Sequence, residues 1–183
     1  MRSELNAQLS VESKTTPIVV GDFEYHSEIS KGHQYPVYYR RPRALPGDQQ
    51  VVLDLNELSN GADFYALGDF SISPNQQTVA FTEDRTGDGS YILRLRDLDS
   101  GLVTTVADQL EPNLAWNGDA VLVIERETNS VVEHMPDGRK SILYDETDPA
   151  FALSVRTARD KETVIITSES HRATEIRVLS PGG

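Results

Sequence analysis

Residues 70–106 read FSISPNQQTVAFTEDRTGDGSYILRLRDLDSGLVTTV and carry four runs of strand-forming residues separated by three tight turns. The turns contain Pro74-Asn75, Gly87-Asp88-Gly89 and Asp99-Ser100-Gly101, which are residue types that favour chain reversal. In the third run, Tyr91–Arg96, apolar side chains on one face alternate with mostly polar ones on the other. The stretch therefore predicts four antiparallel strands connected as a meander.

The same order of strands and turns recurs further along the chain. Ile72, Ala115 and Val155 occupy equivalent first-strand positions and lie 43 and 40 residues apart. A four-stranded unit that recurs about every 40–50 residues is typical of β-propeller blades. An antiparallel β-sandwich with turns about every 8–12 residues is the alternative. We expect a mostly β protein in which residues 62–183 form two to three antiparallel four-stranded blades of a partial propeller.

Residues 1–61 lack this repeat and predict an irregular N-terminal extension. Residues 1–16 have no clean period, which indicates a mobile leader. Asp54 can accept hydrogen bonds at the start of one helical turn, Asp54–Leu58, and Gly61 lies just past its end. The strands expected in the extension are Pro17–Val20, Phe23–Ile29, Tyr35–Arg40 and Gln50–Leu53.

Composition narrows the function classes. With 17 Lys and Arg against 29 Asp and Glu, the net charge is −12, which opposes binding to nucleic acid and to anionic membranes and weakly favours cationic partners such as basic peptides. The absence of cysteine excludes disulfides, a cysteine nucleophile and zinc–thiolate sites. The longest apolar runs, such as Val121–Ile124, fall far short of the ~18 residues of a membrane span. The polar N-terminus predicts a cytoplasmic protein, or a periplasmic one if a leader has been removed.

Motifs for catalysis and cofactor binding are absent from the sequence. It contains no G-x-S-x-G, H-E-x-x-H, P-loop or G-x-G-x-x-G pattern. His26, His33, His134 and His171 are scattered without metal-ligand spacing, so we expect structural or solvated roles for them. Ser168 is close to His171 in sequence, but a triad also needs an orienting carboxylate and an oxyanion hole. We therefore predict no catalytic, cofactor-binding or metal-binding residue, and no cofactor.

Three further features have structural and functional interpretations. Asp84–Gly89 partly matches a calcium loop, but Leu95 stands where the loop needs its glutamate, so a hairpin turn is predicted. Arg40-Arg41 is a basic point in an acidic chain and is expected to form a surface or interdomain ion pair. Six aromatic residues either line a cleft or pack against a neighbouring domain or sheet. They are Tyr35, Tyr38, Tyr39, Phe64, Tyr65 and Phe70.

An ordered set of segments resembles the N-terminal part of the prolyl oligopeptidase family, and within that family its oligopeptidase B (protease II) branch. The resemblance runs from about Tyr25 to Ser180. The segments that carry it are Tyr35–Arg41, Leu53–Leu58, Phe70–Pro74, Ala80–Thr82, Leu95–Gly101, Glu111–Trp116, Asp148–Val155 and Thr174–Leu179. The chain is shorter than the family pattern between Glu125 and Val131.

This resemblance implies a seven-bladed propeller that caps an α/β-hydrolase domain, with residues 1–61 packing on that domain. The family's catalytic Ser, Asp and His belong to the hydrolase domain, and no position of this sequence matches them. The resemblance thus implies the propeller portion of a serine oligopeptidase, inactive alone, that gates the entry of short, basic-residue-containing peptides. The alternative is a stand-alone binding or scaffold module derived from such a propeller.

Two to three blades leave an open face and an open strand edge at each end of the stack. Exposed apolar area costs about 25 cal/mol per Å², so a few hundred Å² amounts to several kcal/mol. Strands such as Val121–Ile124 and Val164–Ile166 are apolar on both faces, which is typical of strands that lie between neighbours. We therefore expect the isolated chain to self-associate.

Overall fold

The computed structural model describes residues 12–44 and 47–180. The chain divides into two compact units, which we call the N-terminal unit (Met1–Gly61) and the blade unit (Ala62–Gly183). Antiparallel β-strands make up almost all of the regular structure in both units. Within the described ranges, no helix is long and apolar enough to cross a membrane.

The N-terminal unit contains a five-stranded antiparallel sheet of order β1-β3-β4-β5, with β2 also paired to β3. Ser13 and Lys14 pair with Ile29 and Glu28, so the predicted mobile leader is wrong for this part of it, and residues 1–11 lie outside the described residues. The extension is therefore more regular than its sequence pattern indicated, since its strands pair into one sheet. The strands are β1 Ser13–Lys14, β2 Ile18–Val20, β3 Phe23–Ile29, β4 Val37–Pro42 and β5 Gln50–Asp54.

The predicted helical turn is confirmed as α1, Leu55–Leu58. Asp54 precedes it in an extended conformation, and its Oδ1 accepts hydrogen bonds from the backbone N–H groups of Asn56 (2.8 Å) and Glu57 (3.3 Å). These donors have no partner inside a helix, so the aspartate stabilises the first turn.

The blade unit contains a seven-stranded sheet of order β12-β11-β10-β9-β8-β7-β6 and a three-stranded sheet of order β13-β14-β15. All pairings are antiparallel between chain neighbours, as a meander requires. The strands are β6 Ala66–Ile72, β7 Thr78–Asp84, β8 Tyr91–Asp97, β9 Val103–Asn117, β10 Ala120–Glu125, β11 Ser130–His134, β12 Lys140–Asp145, β13 Ala152–Thr157, β14 Val164–Glu169 and β15 Thr174–Leu179.

Strand β9 joins the first two blades directly. The sequence predicted separate strands at Leu102–Val106 and Asn113–Trp116, but a single 15-residue strand spans both. Its first half pairs with β8 and its second half with β10, and the register shifts between the halves near Leu110. Gln109 has a φ of +57°, which bends the strand without ending it. The fourth strand of the first blade thus continues as the first strand of the second.

Two hydrophobic cores pack the two blades of the seven-stranded sheet and the three-stranded sheet face to face. Val121 and Val123 of β10 face the first blade, whereas Leu122 and Ile124 face the third sheet, so β10 is buried on both sides. The first core contains Ala80, Leu93, Leu110, Leu114, Trp116, Val121 and Val123. The second contains Ala115, Leu122, Ile124, Val131, Leu153, Val155, Val164 and Ile166. The described residues therefore form a stack of two four-stranded blades and a three-stranded third, and the stack is not closed into a ring.

Candidate functional site

The four histidines lie in separate places. His26 is buried in β3, where its ring stacks on Tyr39 at 5.4 Å and its Nε2 lies 3.1 Å from a Glu28 carboxylate oxygen. His134 is half-buried at the end of β11, and burial holds its pKa below the usual value. His33 and His171 are exposed in turns. The fold does not gather these rings into a shared site within either unit.

Ser168 and His171 are close in sequence but differ in environment. Ser168 is fully buried, and its hydroxyl donates a hydrogen bond to Oε2 of Glu146 at 2.5 Å. His171 is exposed in the turn between β14 and β15. The Glu146 carboxylate also accepts a hydrogen bond from the Tyr144 hydroxyl at 2.7 Å. The serine thus helps to tie the loop after β12 to the third sheet.

Asp84 organises the turn between β7 and β8. Its Oδ1 accepts hydrogen bonds from the N–H groups of Thr86 and Gly87, both at 2.8 Å, and its Oδ2 accepts one from Gly89 at 3.0 Å. Burial alone would raise the pKa of Asp84, but these hydrogen bonds outweigh it and lower the pKa. The predicted hairpin turn is confirmed. In residues 12–44 and 47–180, no three His, Cys, Asp or Glu side chains are grouped to hold a metal.

The two arginines of Arg40-Arg41 have different environments. Arg41 pairs with Glu24, its neighbour across β3 and β4, with an Nε to Oε2 distance of 2.8 Å. Arg40 is buried, lies 4.3 Å from the centre of the Phe23 ring and donates a hydrogen bond to Gln50 at 2.7 Å. Arg40 is therefore buried and does not lie at the surface as predicted, and an aromatic face and an amide of its own sheet contact its cation.

The aromatic set is divided between the two units. Tyr35, Tyr38 and Tyr39 belong to the N-terminal unit, and Phe64, Tyr65 and Phe70 to the blade unit. Tyr65 is buried, whereas Phe64 is 44% exposed. Burial raises the pKa of Tyr65, and the neighbouring Glu83 carboxylate raises it further. The hydroxyl of Tyr65 is therefore a hydrogen-bond donor at any ordinary pH.

The most unusual polar group of the blade unit is Glu83, at the end of β7, which is completely buried. The Nε of Arg94 lies 2.9 Å from its Oε1, Arg85 approaches to 3.8 Å, and Tyr65 lies close enough for the same carboxylate to raise the pKa of its hydroxyl. Burial raises the pKa of Glu83, while the two guanidinium groups act in the opposite direction. We call these four residues the Glu83 cluster.

Strand register explains the Glu83 cluster. β7 and β8 pair Phe81 with Arg94 and Glu83 with Ile92, so Glu83 and Arg94 are diagonal neighbours on one face of the first blade. Val79 and Phe81 precede Glu83 on that face and are fully buried. Sequence reasoning missed the cluster, although the signal was present: the alternation of β7 places a carboxylate where the next apolar residue belongs. The Glu83 cluster pairs opposite charges within the first blade.

A polar seam connects β6 and β7 of the first blade to the second half of β9, the first strand of the second blade. Thr82 donates a hydrogen bond to the carbonyl oxygen of Pro112 at 2.5 Å, and the indole Nε1 of Trp116 donates one to the carbonyl oxygen of Ser71 at 3.0 Å. Asp69 accepts hydrogen bonds from the N–H groups of Phe70 and Leu114. Burial raises the pKa of Asp69, and these two hydrogen bonds oppose the rise. The seam fixes the two blades against each other.

The sequence matches the family described as "Prolyl oligopeptidase, N-terminal beta-propeller domain" over residues 1–182. The chain therefore belongs to this family, which confirms the resemblance and the partial propeller inferred from the sequence repeats. The stacked antiparallel blades are the architecture that the family's description names.

The curated relatives are much longer than this chain. It is 26% identical over 208 residues to dipeptidyl aminopeptidase BI of Pseudoxanthomonas mexicana, covering 98% of this chain and 29% of the relative. It is 24% identical over 193 residues to Protease 2 of Moraxella lacunata, covering 89% of this chain and 26% of the relative. The chain thus spans less than a third of the curated relatives it matches.

Solved structures share the fold. Oligopeptidase B from Leishmania major superposes with a TM-score of 0.84 at 23% identity, over 98% of this chain and 27% of that one. Oligopeptidase B from Trypanosoma brucei, solved with covalently bound antipain, gives a TM-score of 0.80 at 24% identity and the same coverage. At this level of identity the likeness establishes the fold.

Proposed function

We propose that this chain is the propeller portion of a larger serine peptidase similar to oligopeptidase B, and that it controls which substrates reach a hydrolase domain. One observation carries the proposal: the chain matches a peptidase propeller domain over residues 1–182 yet spans only 29% of a peptidase relative. Blades stacked over a catalytic domain admit short, flexible peptides and exclude folded proteins by size.

Charge supports a preference for basic peptides. The net charge of −12 attracts cationic ligands and raises their local concentration at the protein surface, an effect that weakens as salt rises. Peptides that contain Arg or Lys are therefore the proposed substrates of the whole protein. The cytoplasm is the proposed compartment, and fractionation of cells that express a tagged protein tests it.

The N-terminal unit is proposed to pack on the hydrolase domain. Ile18 and Val19 of β2 are 63% and 55% exposed on the sheet edge beside β3, although both are large aliphatic residues. Consecutive residues of a strand point to opposite faces, so this edge exposes an aliphatic side chain on each face, and burial of either against a partner surface would be favourable. A hydrolase domain that follows in the same chain would supply that surface.

The size filter is tested in the full-length protein by comparing kcat/KM for a short fluorogenic Arg peptide with that for the same sequence in a loop of a folded protein. We expect the short peptide to be cleaved at least about 100-fold faster. Trp116→Ala loosens the seam between blades and should raise cleavage of the folded protein more than that of the peptide. Leu102→Ala, at a site 64% exposed, is the matched control. Equal rates for both substrates would contradict the filter.

A stand-alone binding module is the second candidate, supported by the two hydrophobic cores that the blade unit forms from its own residues. The reading frame beyond Gly183 separates the candidates. Further blades and a G-x-S-x-G motif in that frame support the peptidase. A stop codon supports the module.

A further inference from the structure

The sequence contains two Asn-Gly dipeptides, Asn60-Gly61 and Asn117-Gly118. In such a pair, the backbone nitrogen of the glycine can attack the side-chain amide carbon of the asparagine, expel ammonia and close a cyclic imide. Water then opens the imide and gives either aspartate or isoaspartate. Glycine favours the reaction because it has no side chain to hinder the ring and its backbone adopts many conformations. By sequence alone, both dipeptides are therefore candidate modification sites.

The structure restrains Asn117. This residue ends β9 and pairs with Ala120 across the turn. Its Nδ2 donates a hydrogen bond to Oε1 of Glu133 at 2.9 Å, and Glu133 is buried. Hydrogen bonds to an ionised group are among the stronger ones in proteins. To react, the Asn117 amide must leave Glu133 and turn toward the nitrogen of Gly118, so the fold opposes imide formation at this site.

The surroundings of Asn60-Gly61 are more open. The dipeptide lies in the turn that follows α1, and both residues are exposed. Gly61 has a φ of +73°, and a Cβ added there would meet nothing within 4 Å, so the ring has room to form. A turn at the end of one short helix also opens locally more readily than the end of a strand inside a sheet. The fold therefore leaves this dipeptide far less restrained than Asn117-Gly118.

We propose that Asn60 is a site of spontaneous deamidation in the folded protein, and that Glu133 protects Asn117 from the same reaction. Conversion of Asn60 adds a negative charge, and isoaspartate also inserts a methylene group into the backbone. Both changes fall at the boundary between the N-terminal unit and the blade unit. The proposal does not rest on the proposed function, since the reaction needs only the dipeptide and water.

The test incubates the 183-residue chain in mildly alkaline buffer, both folded and in urea, and follows each site by peptide mapping with mass spectrometry. A methyltransferase that modifies isoaspartyl carboxylates detects the isoaspartate product independently. In the folded chain we expect Asn60 to convert about tenfold or more faster than Asn117, because the reaction at Asn117 first breaks a hydrogen bond to a charged group. In urea the two rates should approach each other.

Variants connect the difference to Glu133. Glu133→Ala removes the acceptor and should raise the conversion of Asn117 while that of Asn60 is unchanged. Ser141→Ala is the matched control, since its hydroxyl donates to the other oxygen of the same carboxylate at 3.4 Å. Asn60→Gln should remove the faster product, because the longer side chain closes a ring more slowly.

Three results would overturn the proposal. The first is conversion of Asn117 that equals or exceeds that of Asn60 in the folded chain. The second is a ratio of the two rates that stays the same in urea, because the fold would then not cause the difference. The third is a Glu133→Ala variant that retains the native circular dichroism spectrum and converts Asn117 no faster. If that variant does not fold, the comparison of the two sites in the native chain decides.

Discussion

At the scale of single residues, Glu83 is a buried charge that needs compensating charges close to it. A carboxylate with no exposed surface is costly unless cations lie beside it, and Arg94 and Arg85 supply them. Part of the Arg94 side chain is exposed to solvent, which reduces the contribution of its ion pair to stability. The free energy of unfolding should therefore depend more on having a partner for Glu83 than on the ion pair itself.

Arg94→Met should lower the free energy of unfolding by about 1–3 kcal/mol, because it leaves the buried carboxylate short of its nearest cation. Urea unfolding at neutral pH measures the loss. Arg96→Met, on the same strand and face, is the matched control and should cost less than about 1 kcal/mol. Glu83→Gln in the Arg94→Met background should recover part of the loss, and no recovery would show that packing, not charge, explains it.

The lowered pKa of His134 predicts that the free energy of unfolding depends on pH. Burial is the largest cause of its lowered pKa, Lys140 lowers it further, and Glu125 acts in the opposite direction. A base whose pKa falls on folding contributes stability that is present above its unfolded pKa, about 6.5, and lost as pH falls. On going from pH 7 to pH 5, the free energy of unfolding of the native protein should therefore fall more than that of His134→Gln. Urea unfolding at the two pH values measures both decreases, and equal decreases would refute this role.

At the scale of elements, β6 contains a glycine, Gly68, at a position where the neighbouring strands leave no room for a side chain. A Cβ at Gly68 would lie 2.6 Å from Oγ1 of Thr82 and 2.7 Å from the ring of Tyr91. The Thr82 hydroxyl cannot move away freely because it donates to the carbonyl oxygen of Pro112 in the seam. A side chain at this position must therefore displace either a strand or the seam.

Gly68→Ala should lower the free energy of unfolding by about 1–3 kcal/mol through this overlap. Gly118→Asn is the matched control, since a Cβ there meets nothing within 4 Å and asparagine tolerates its φ of +59°. The control should cost less than about 1 kcal/mol. Equal melting temperatures for Gly68→Ala and the native protein would contradict the predicted overlap.

The elements that the sequence predicted well are those bounded by turn residues. β3, β10, β11 and β15 have the predicted bounds, and each has a turn residue directly before or after it. β9 was predicted as two strands because Asp108 and Pro112 favour a break between them, whereas the chain bends at Gln109 and continues as one strand. The Glu83 cluster was missed because it depends on diagonal contacts between strands, which follow only from the register.

At the scale of the whole molecule, the purified chain should not hydrolyse peptides. The sequence has no G-x-S-x-G motif, and its resemblance to the family leads us to expect the catalytic residues outside this chain. Fluorogenic Arg and Lys peptides incubated with the chain, with and without a serine-directed inhibitor, measure this. Inhibitor-sensitive turnover that follows the chain through purification would contradict the prediction.

The continuous strand β9 affects the order in which the blades unfold. The two blades share one uninterrupted backbone segment, so unfolding of β9 in the first blade releases one end of the first strand of the second. We therefore expect the two blades to unfold as one cooperative unit. A loop and a shared core join the third sheet to the two blades. Under mechanical tension we therefore expect the third sheet to detach first.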